Sequence, residues 1–329
     1  MWSSGIPCGM TEQTTMQTTT EQPATAQTGS ENTRLIQSGL RPCPLCGSGQ
    51  FCPVFEPIQR CRQCGLCLVN PLGEFRGENE TREYFLNEYL PLHLANRENS
   101  RAERRAHIAA IQRHFRVPQR ARHLDVGCAL GSMLEEAKTA GWEPVGVETS
   151  EFAAGYAAEH TGCLVYPGTL EKAAFPAQSF DVVTLMDVIE HVPYPGELLD
   201  EIYRVLRPGG VVFILTPNFS SLFVRLYGRT AYSVWPDQHI VYFQPSTMRR
   251  LLRHAGFSKI ITGSKDFYGE NVGRLLRRSR GETDAGIKAA FGSDPRLSTL
   301  RSIANRLLMH LPLGDKLIAL AQRPAAAPA

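Results

Sequence analysis

The feature that most constrains this chain is Arg122-His-Leu-Asp-Val-Gly-Cys-Ala-Leu-Gly131, followed within one βαβ length by Val145-Gly-Val-Glu148. An apolar strand runs into a glycine-bearing turn, a helix follows, and the next strand ends on a carboxylate. A doubly wound sheet holds a ribonucleoside in this way: the glycines let backbone approach the ligand, and the acid accepts from both ribose hydroxyls. Gly127 and Gly131 are the turn glycines and Glu148 is the acid. The spacing is Gly-x-Ala-x-Gly, with Ala129 in the middle, and Asp125 precedes the turn. A second carboxylate there suits a ligand with an ammonium and a sulfonium rather than a pyrophosphate.

Strand and helix patterns alternate from this point. Strands are expected at 123–126, 145–148, 164–166, 180–186, 211–215, 257–262 and 316–321. Helices are expected at 132–140, 153–160, 196–206 and 245–255, the third closed by Arg207-Pro-Gly-Gly210. The alternation predicts an α/β fold with a doubly wound, mostly parallel sheet of seven strands and helices on both faces.

Three further stretches carry chemistry. Gly168-Thr169-Leu170 is a turn after the third strand. Asp187-Val-Ile-Glu-His191 lies at the carboxyl end of the central apolar strand, where the crevice of an open α/β sheet forms. Trp235-Pro-Asp-Gln-His-Ile-Val-Tyr242 follows the fifth strand and supplies aromatic walls and a titratable base beside that crevice. Ahead of the core, Cys43-Pro-Leu-Cys46 and Cys61-Arg-Gln-Cys64 form two Cys-x-x-Cys pairs, whose four thiolates can close a tetrahedral, structural zinc site. Cys67, in an apolar run, is expected to pack as a small hydrophobe.

At these residues the chain resembles the class I S-adenosylmethionine-dependent methyltransferases. With its zinc ribbon it is similar to the sugar methyltransferases of bacterial polysaccharide and antibiotic pathways. The resemblance implies S-adenosyl-L-methionine as cofactor, with Asp125 holding the amino group and Gly127, Ala129 and Gly131 shaping the loop. Glu148 and its neighbour Thr149 then belong to the ribose end, Thr169 and Leu170 border the adenine, and Asp187 lies beside the sulfonium. Ala129 stands where many relatives have glycine, and a methyl group is small enough for the loop.

The same resemblance points to His239 as general base, His191 as second choice, and Tyr242 closing over the acceptor. Gln238 replaces the acidic neighbour that the base has in sugar C-methyltransferases. Two readings of Asp187-x-x-Glu190-His191 stay open. In quinone-type O-methyltransferases such a cluster holds a divalent cation that acidifies a phenol; in others Glu190 and His191 cap and order the loop. The expected acceptor is a small molecule, a nucleotide- or lipid-linked saccharide, with a quinone or phenol as the alternative and RNA as a third reading.

Composition bounds these expectations. The 329 residues suffice for one α/β domain and an appendage, expected as a disordered tail (1–38), zinc ribbon (39–75), helical connector or lid (76–118), methyltransferase core (119–264) and helical insertion with final strand (265–329). Met10 or Met16 is the expected true start. A net charge of +3 is too small to argue for nucleic acid by itself, and no nucleic acid is expected as partner. No apolar run approaches the ~18 residues of a membrane span, and no signal peptide is evident, so a cytoplasmic protein is expected. The basic, amphipathic stretch from Arg274 to Leu311 leaves two readings, docking on the core or peripheral membrane contact.

Overall fold

The computed structural model of the protein describes residues 40–72, 82–231, 233–265 and 313–325. The expected N-terminal tail and the stretch from Arg274 to Leu311 lie outside them. The core strands are β4 (Arg122–Val126), β5 (Glu143–Glu148), β6 (Leu164–Pro167), β7 (Phe180–Met186), β8 (Leu206–Pro217), β10 (Ser258–Lys265) and β11 (Lys316–Gln322). They form one sheet in the order β10-β11-β8-β7-β4-β5-β6. β11 runs antiparallel to both neighbours, and the pairs from β8 to β6 are parallel. The chain leaves β4 toward β5 and β6 on one side and returns to β7 and β8 on the other. That reversal opens a crevice at the carboxyl ends of β4 and β7.

The strand residues explain the layering. β7 reads Phe-Asp-Val-Val-Thr-Leu-Met and is buried at nearly every position, as a central parallel strand covered on both faces must be. Helices Ser132–Thr139, Glu151–Thr161, Pro195–Val205 and Pro245–His254 cover the sheet. Helix Arg97–His114 packs on Ser132–Thr139, and Glu136, 1% exposed, is paired by Arg101 at 2.6 Å and Arg105 at 3.3 Å. A buried carboxylate without such partners would cost several kcal/mol, so this pairing fixes how the helix docks.

One expected boundary differs. Arg207-Pro-Gly-Gly210 was expected as a helix-closing turn with the strand beginning at 211. Instead the helix ends at Val205 and β8 starts at Leu206, paired with Phe180; the register then shifts, so that Val182 faces Val211. Gly209 has φ +83°, and a Cβ on Gly210 would lie 2.9 Å from the Arg207 carbonyl oxygen. The glycines therefore build a bulge inside the strand.

The cysteine segment forms a second sheet from β1 (Phe51–Phe55), β2 (Ile58–Cys61) and β3 (Cys67–Val69). Its fourth strand, β9 (Val241–Tyr242), comes from the connection between β8 and β10, with Cys67 opposite Tyr242 and Leu68 opposite Val241. The ribbon is thus continuous with the loop that carries His239.

Candidate active site

The loop after β4 is built on alternating left-handed residues: Gly127 (φ 71°), Ala129 (φ 46°) and Gly131 (φ 89°). A Cβ on Gly127 would lie 2.4 Å from Val188 Cγ2, and one on Gly131 2.7 Å from Thr161 Cγ2. The first glycine therefore lets the loop meet the β7 turn, and the second lets helix Glu151–Thr161 approach. Ala129 was expected to be tolerated on size. The constraint proves to be backbone conformation, which costs a non-glycine residue roughly 1 kcal/mol.

Glu148 knits this loop to the next. Its Oε2 accepts from the Ala129 amide and its Oε1 from the Ser150 amide, each at 2.9 Å, and Thr149 Oγ1 donates to Oε1 at 3.3 Å. Each carboxylate oxygen has further acceptor capacity, so the expected ribose role remains open to it. Arg82, Thr149, Ser150, Glu151 and Phe152 line a cleft of about 490 Å³ at this end of the crevice. Thr169 spends its hydroxyl as a helix cap, accepting from Lys172 at 3.4 Å, and Leu170 is buried in the core, 2% exposed.

Asp125 is 1% exposed; Thr184 Oγ1 donates to its Oδ1 at 2.6 Å, and Oδ2 has no partner among the described residues. Burial pushes its carboxyl up to about 7. The Arg104 guanidinium works against that burial, and its charge also reaches Asp187 and the Tyr89 hydroxyl. Arg104 and Tyr89 thus stand within electrostatic reach of the site's carboxylates, and sequence reasoning missed both. A signal existed for Arg104: it shares the 104, 108, 111 stripe of its helix with Ile108 and Ile111, both buried.

The second half of the site is a joint between two loops. Asp187 takes a left-handed φ of 55°, and its carboxylate pairs with Lys316 from β11. Glu190 is 1% exposed; its Oε2 accepts from Thr216 Oγ1 at 2.8 Å, and Oε1 has no partner among the described residues. His191 Nδ1 donates to the Gln238 carbonyl at 2.8 Å, and His239 Nδ1 to the Ser233 carbonyl at 3.3 Å. Glu190, His191 and His239 bring ligand atoms within 4.8 Å of one another. Each also has one polar atom anchored in the protein, an arrangement that orients side chains able to hold a metal.

Electrostatics favour the same reading. Burial, with the Asp187 charge, pushes Glu190 up to about 8, and the Lys316 charge offsets this only in part. Burial, with His191 and Lys316, pushes His239 down to about 3, and burial also lowers His191. Both imidazoles are neutral at neutral pH, as ligands must be, and His239 is then a weak base. One carboxylate and two imidazoles suit a divalent cation. Tyr242 lies behind this centre: it is 3% exposed, its ring 4.8 Å from Phe219 and 6.2 Å from His239, and burial pushes its hydroxyl far up. Trp235, 49% exposed, stands 6.3 Å from His239.

The four ribbon cysteines converge as expected. Cys43 and Cys64 sulfurs lie 3.4 Å apart, Cys46 and Cys61 3.5 Å, and all four within 4.8 Å. In each knuckle a glycine with positive φ returns its amide to the first cysteine's carbonyl, Gly47 to Cys43 and Gly65 to Cys61. The contact with Cys64 draws the Cys43 thiol down to about 5. Four thiols at this spacing fit a tetrahedral zinc ion. Cys67 is fully buried in the apolar cluster beneath the ribbon.

This strand order, with a nucleoside loop after β4 and a polar cluster after β7, defines a methyltransferase of the Rossmann-like fold. The methyltransferase domain family model matches residues 97–261, half of the chain, and the chain belongs to that family. It is 35% identical over 147 residues to a ubiquinone biosynthesis O-methyltransferase of Aromatoleum aromaticum, a match covering 41% of this chain and 63% of that protein. The chain thus spans less than two thirds of that relative's length. In fold it is similar to an S-adenosylmethionine-dependent methyltransferase of Archaeoglobus fulgidus (TM-score 0.50, 20% identity, 72% of this chain and 100% of that one). It is also similar to phosphoethanolamine N-methyltransferase 2 of Haemonchus contortus bound to S-adenosyl-L-methionine (TM-score 0.51, 18% identity, 77% and 60%). The ribbon lies ahead of the matched family region.

Proposed function

We propose that the protein transfers a methyl group from S-adenosyl-L-methionine to a hydroxyl of a phenol- or quinone-type small molecule, with a divalent cation at Glu190, His191 and His239. The observation that carries the reading is that three-residue centre beside the cofactor loop. The ubiquinone name of the similar proteins supports the phenolic acceptor over the saccharide that the ribbon implied. No helix among the described residues is long and apolar enough to cross a membrane. The division into ribbon, connector, core and insertion belongs to the same proposal, as does structural zinc on the four cysteines.

The residues present fit both the cofactor and a divalent cation. Gly127, Ala129 and Gly131 would hold the cofactor's backbone contacts, Glu148 its ribose, and Asp125 with its unpartnered oxygen the ammonium. The bound cofactor supplies an activated methyl on a sulfonium. A divalent cation on Glu190 Oε1 and the two imidazoles would lower the pKa of an acceptor hydroxyl. The protein's own part is orientation and exclusion of water. The Ser233 and Gln238 carbonyls fix the imidazoles, Thr216 fixes Glu190, and Lys316 holds Asp187 at the crevice edge. With His239 so weakly basic, proton removal does not fall to it.

Methyl-labelled S-adenosylmethionine, purified protein and fractionated bacterial extract test the reading. Label in quinone precursors or other phenols is the expected result. Label in nucleotide-sugars or lipid-linked glycans would restore the saccharide acceptor and remove the phenolic one.

A further inference from the structure

We propose that the cysteine ribbon is a positioning element of the acceptor site, and that Arg41 is the residue through which metal on the ribbon sets the His191 turn. The proposal rests on the reading of Glu190, His191 and His239 as that site.

Two connections run from the ribbon to the cluster. The first is strand β9. Val69 donates its amide to the Ile240 carbonyl at 2.9 Å, and the Ile240 amide donates to the Glu190 carbonyl at 2.8 Å. Ile240 follows His239, so one hydrogen-bonded path passes from ribbon strand β3 through the His239 loop to Glu190. Helix Pro245–His254 is tied in as well, because Arg250 Nη1 donates to the Cys64 carbonyl at 2.9 Å.

The second connection is Arg41. Its backbone is clamped by the buried Asn70 side chain, which accepts from the Arg41 amide at 3.0 Å and donates to its carbonyl at 3.1 Å. Its Nη1 donates to the Pro193 carbonyl at 2.8 Å, two residues beyond His191. The residue is only 8% exposed, and its Nε and Nη2 have no partner among the described residues. A guanidinium buried with two idle donors needs an anion. Cys43, one of the four clustered sulfurs, is two residues away in the chain. Four thiolates on a divalent ion carry a net charge of −2, so a metal-loaded ribbon is the anion that Arg41 complements. Loading then stabilises Arg41 in the position from which it holds Pro193 and the His191 turn. By linkage, order at the acceptor cluster and metal on the ribbon strengthen each other.

The cofactor loop does not share these hydrogen bonds and meets the turn after β7 through the packing of Gly127 on Val188. Gly127 and Cys128 donate to the Val147 carbonyl, and Ala129 to Glu148, all within the core sheet and its loops. The inference therefore separates two functions of one crevice: ribbon metal governs the acceptor half and leaves the cofactor half alone.

Amide hydrogen exchange tests it on the full chain with zinc bound, after zinc is stripped by a thiol-directed mercurial and chelator, and in Arg41→Met. Calorimetry with S-adenosylhomocysteine runs in parallel. Expected is exchange at 191–192 and 239–243 faster by ~10-fold or more in both perturbed forms, with exchange at 127–129 and S-adenosylhomocysteine affinity changed less than about twofold. Unchanged exchange at 191–192 and 239–243 would overturn the inference. So would a parallel loss of S-adenosylhomocysteine affinity, which marks the ribbon as a general folding element. If Arg41→Met does not fold, zinc stripping alone decides. Absence of S-adenosylhomocysteine binding to the zinc-loaded protein would instead count against the proposed function, and the exchange pattern would still judge the coupling.

Discussion

His191 donates from Nδ1 to the Gln238 carbonyl oxygen at 2.8 Å, and this bond ties the turn after β7 to the loop carrying His239. It also draws His191 toward Glu190 and His239, whose polar atoms lie within 4.8 Å of its own and form the proposed cation centre. Loss of a ligand should therefore damage chemistry without touching the cofactor loop. His239→Gln and Glu190→Gln are each expected to lower methyl transfer by ~100-fold, with S-adenosylhomocysteine affinity within about twofold of wild type. Steady-state assays and calorimetry check this; equal losses in both would place the cluster in cofactor binding.

Asp125 makes the cofactor-free protein sensitive to pH. Its carboxyl titrates at about 7 in the fold, against about 3.9 in an unfolded chain. The folded value is raised, so the protonated form contributes stability that is complete below ~4 and is lost as pH rises through 7. The full swing is on the order of 4 kcal/mol. Urea unfolding between pH 5 and pH 9, compared with Asp125→Asn, reads it. The expected outcome is a decline with pH that is markedly shallower in the variant.

The loop glycines should separate by mechanism. Gly127→Ala meets both a positive φ and Val188 Cγ2 at 2.4 Å, and it should cost ~2 kcal/mol or more. Ala129→Gly relieves a left-handed alanine, and a gain of ~0.5–1 kcal/mol is expected. Thermal melts of the two variants, shifting in opposite directions, check the pair.

The ribbon should retain one zinc per chain through dialysis at neutral pH and release it as the thiolates are protonated, because only the thiolate is a ligand. Cys64→Ser is expected to lose that zinc and melt several degrees lower, by roughly 1–3 kcal/mol. Elemental analysis and calorimetry read the two effects.

Much of the architecture was legible because periodicity and punctuation agree in this chain. The apolar run 180–186, the glycines after Asp125 and the carboxylate ending β5 each have one structural meaning, and the sheet follows from them. The paired cysteine knuckles were equally legible, since their spacing is local. What escaped was long-range. That His239 meets Glu190 and His191 depends on β9 joining a sheet 170 residues upstream in sequence (Leu68 with Val241). Neither partner strand is long enough to announce the pairing. His239 reads as a base from residue type, which does not show burial, and burial pushes its imidazole down to about 3. Arg104 was hidden for the opposite reason: a charge in a helix of arginines and glutamates looks solvated until its stripe is seen to face inward. Ala129 was judged by side-chain size, whereas the loop tests its φ.

The most direct test of the account is a manganese titration. Protein that keeps its ribbon zinc but has been freed of labile divalent cations would be given labelled S-adenosylmethionine and a catechol, with Mn²⁺ added stepwise. The account predicts that methyl transfer rises from near zero with added Mn²⁺ in wild type and stays low in His239→Gln. Full catechol methylation without a divalent cation, or a Mn²⁺ response unchanged in His239→Gln, would contradict it.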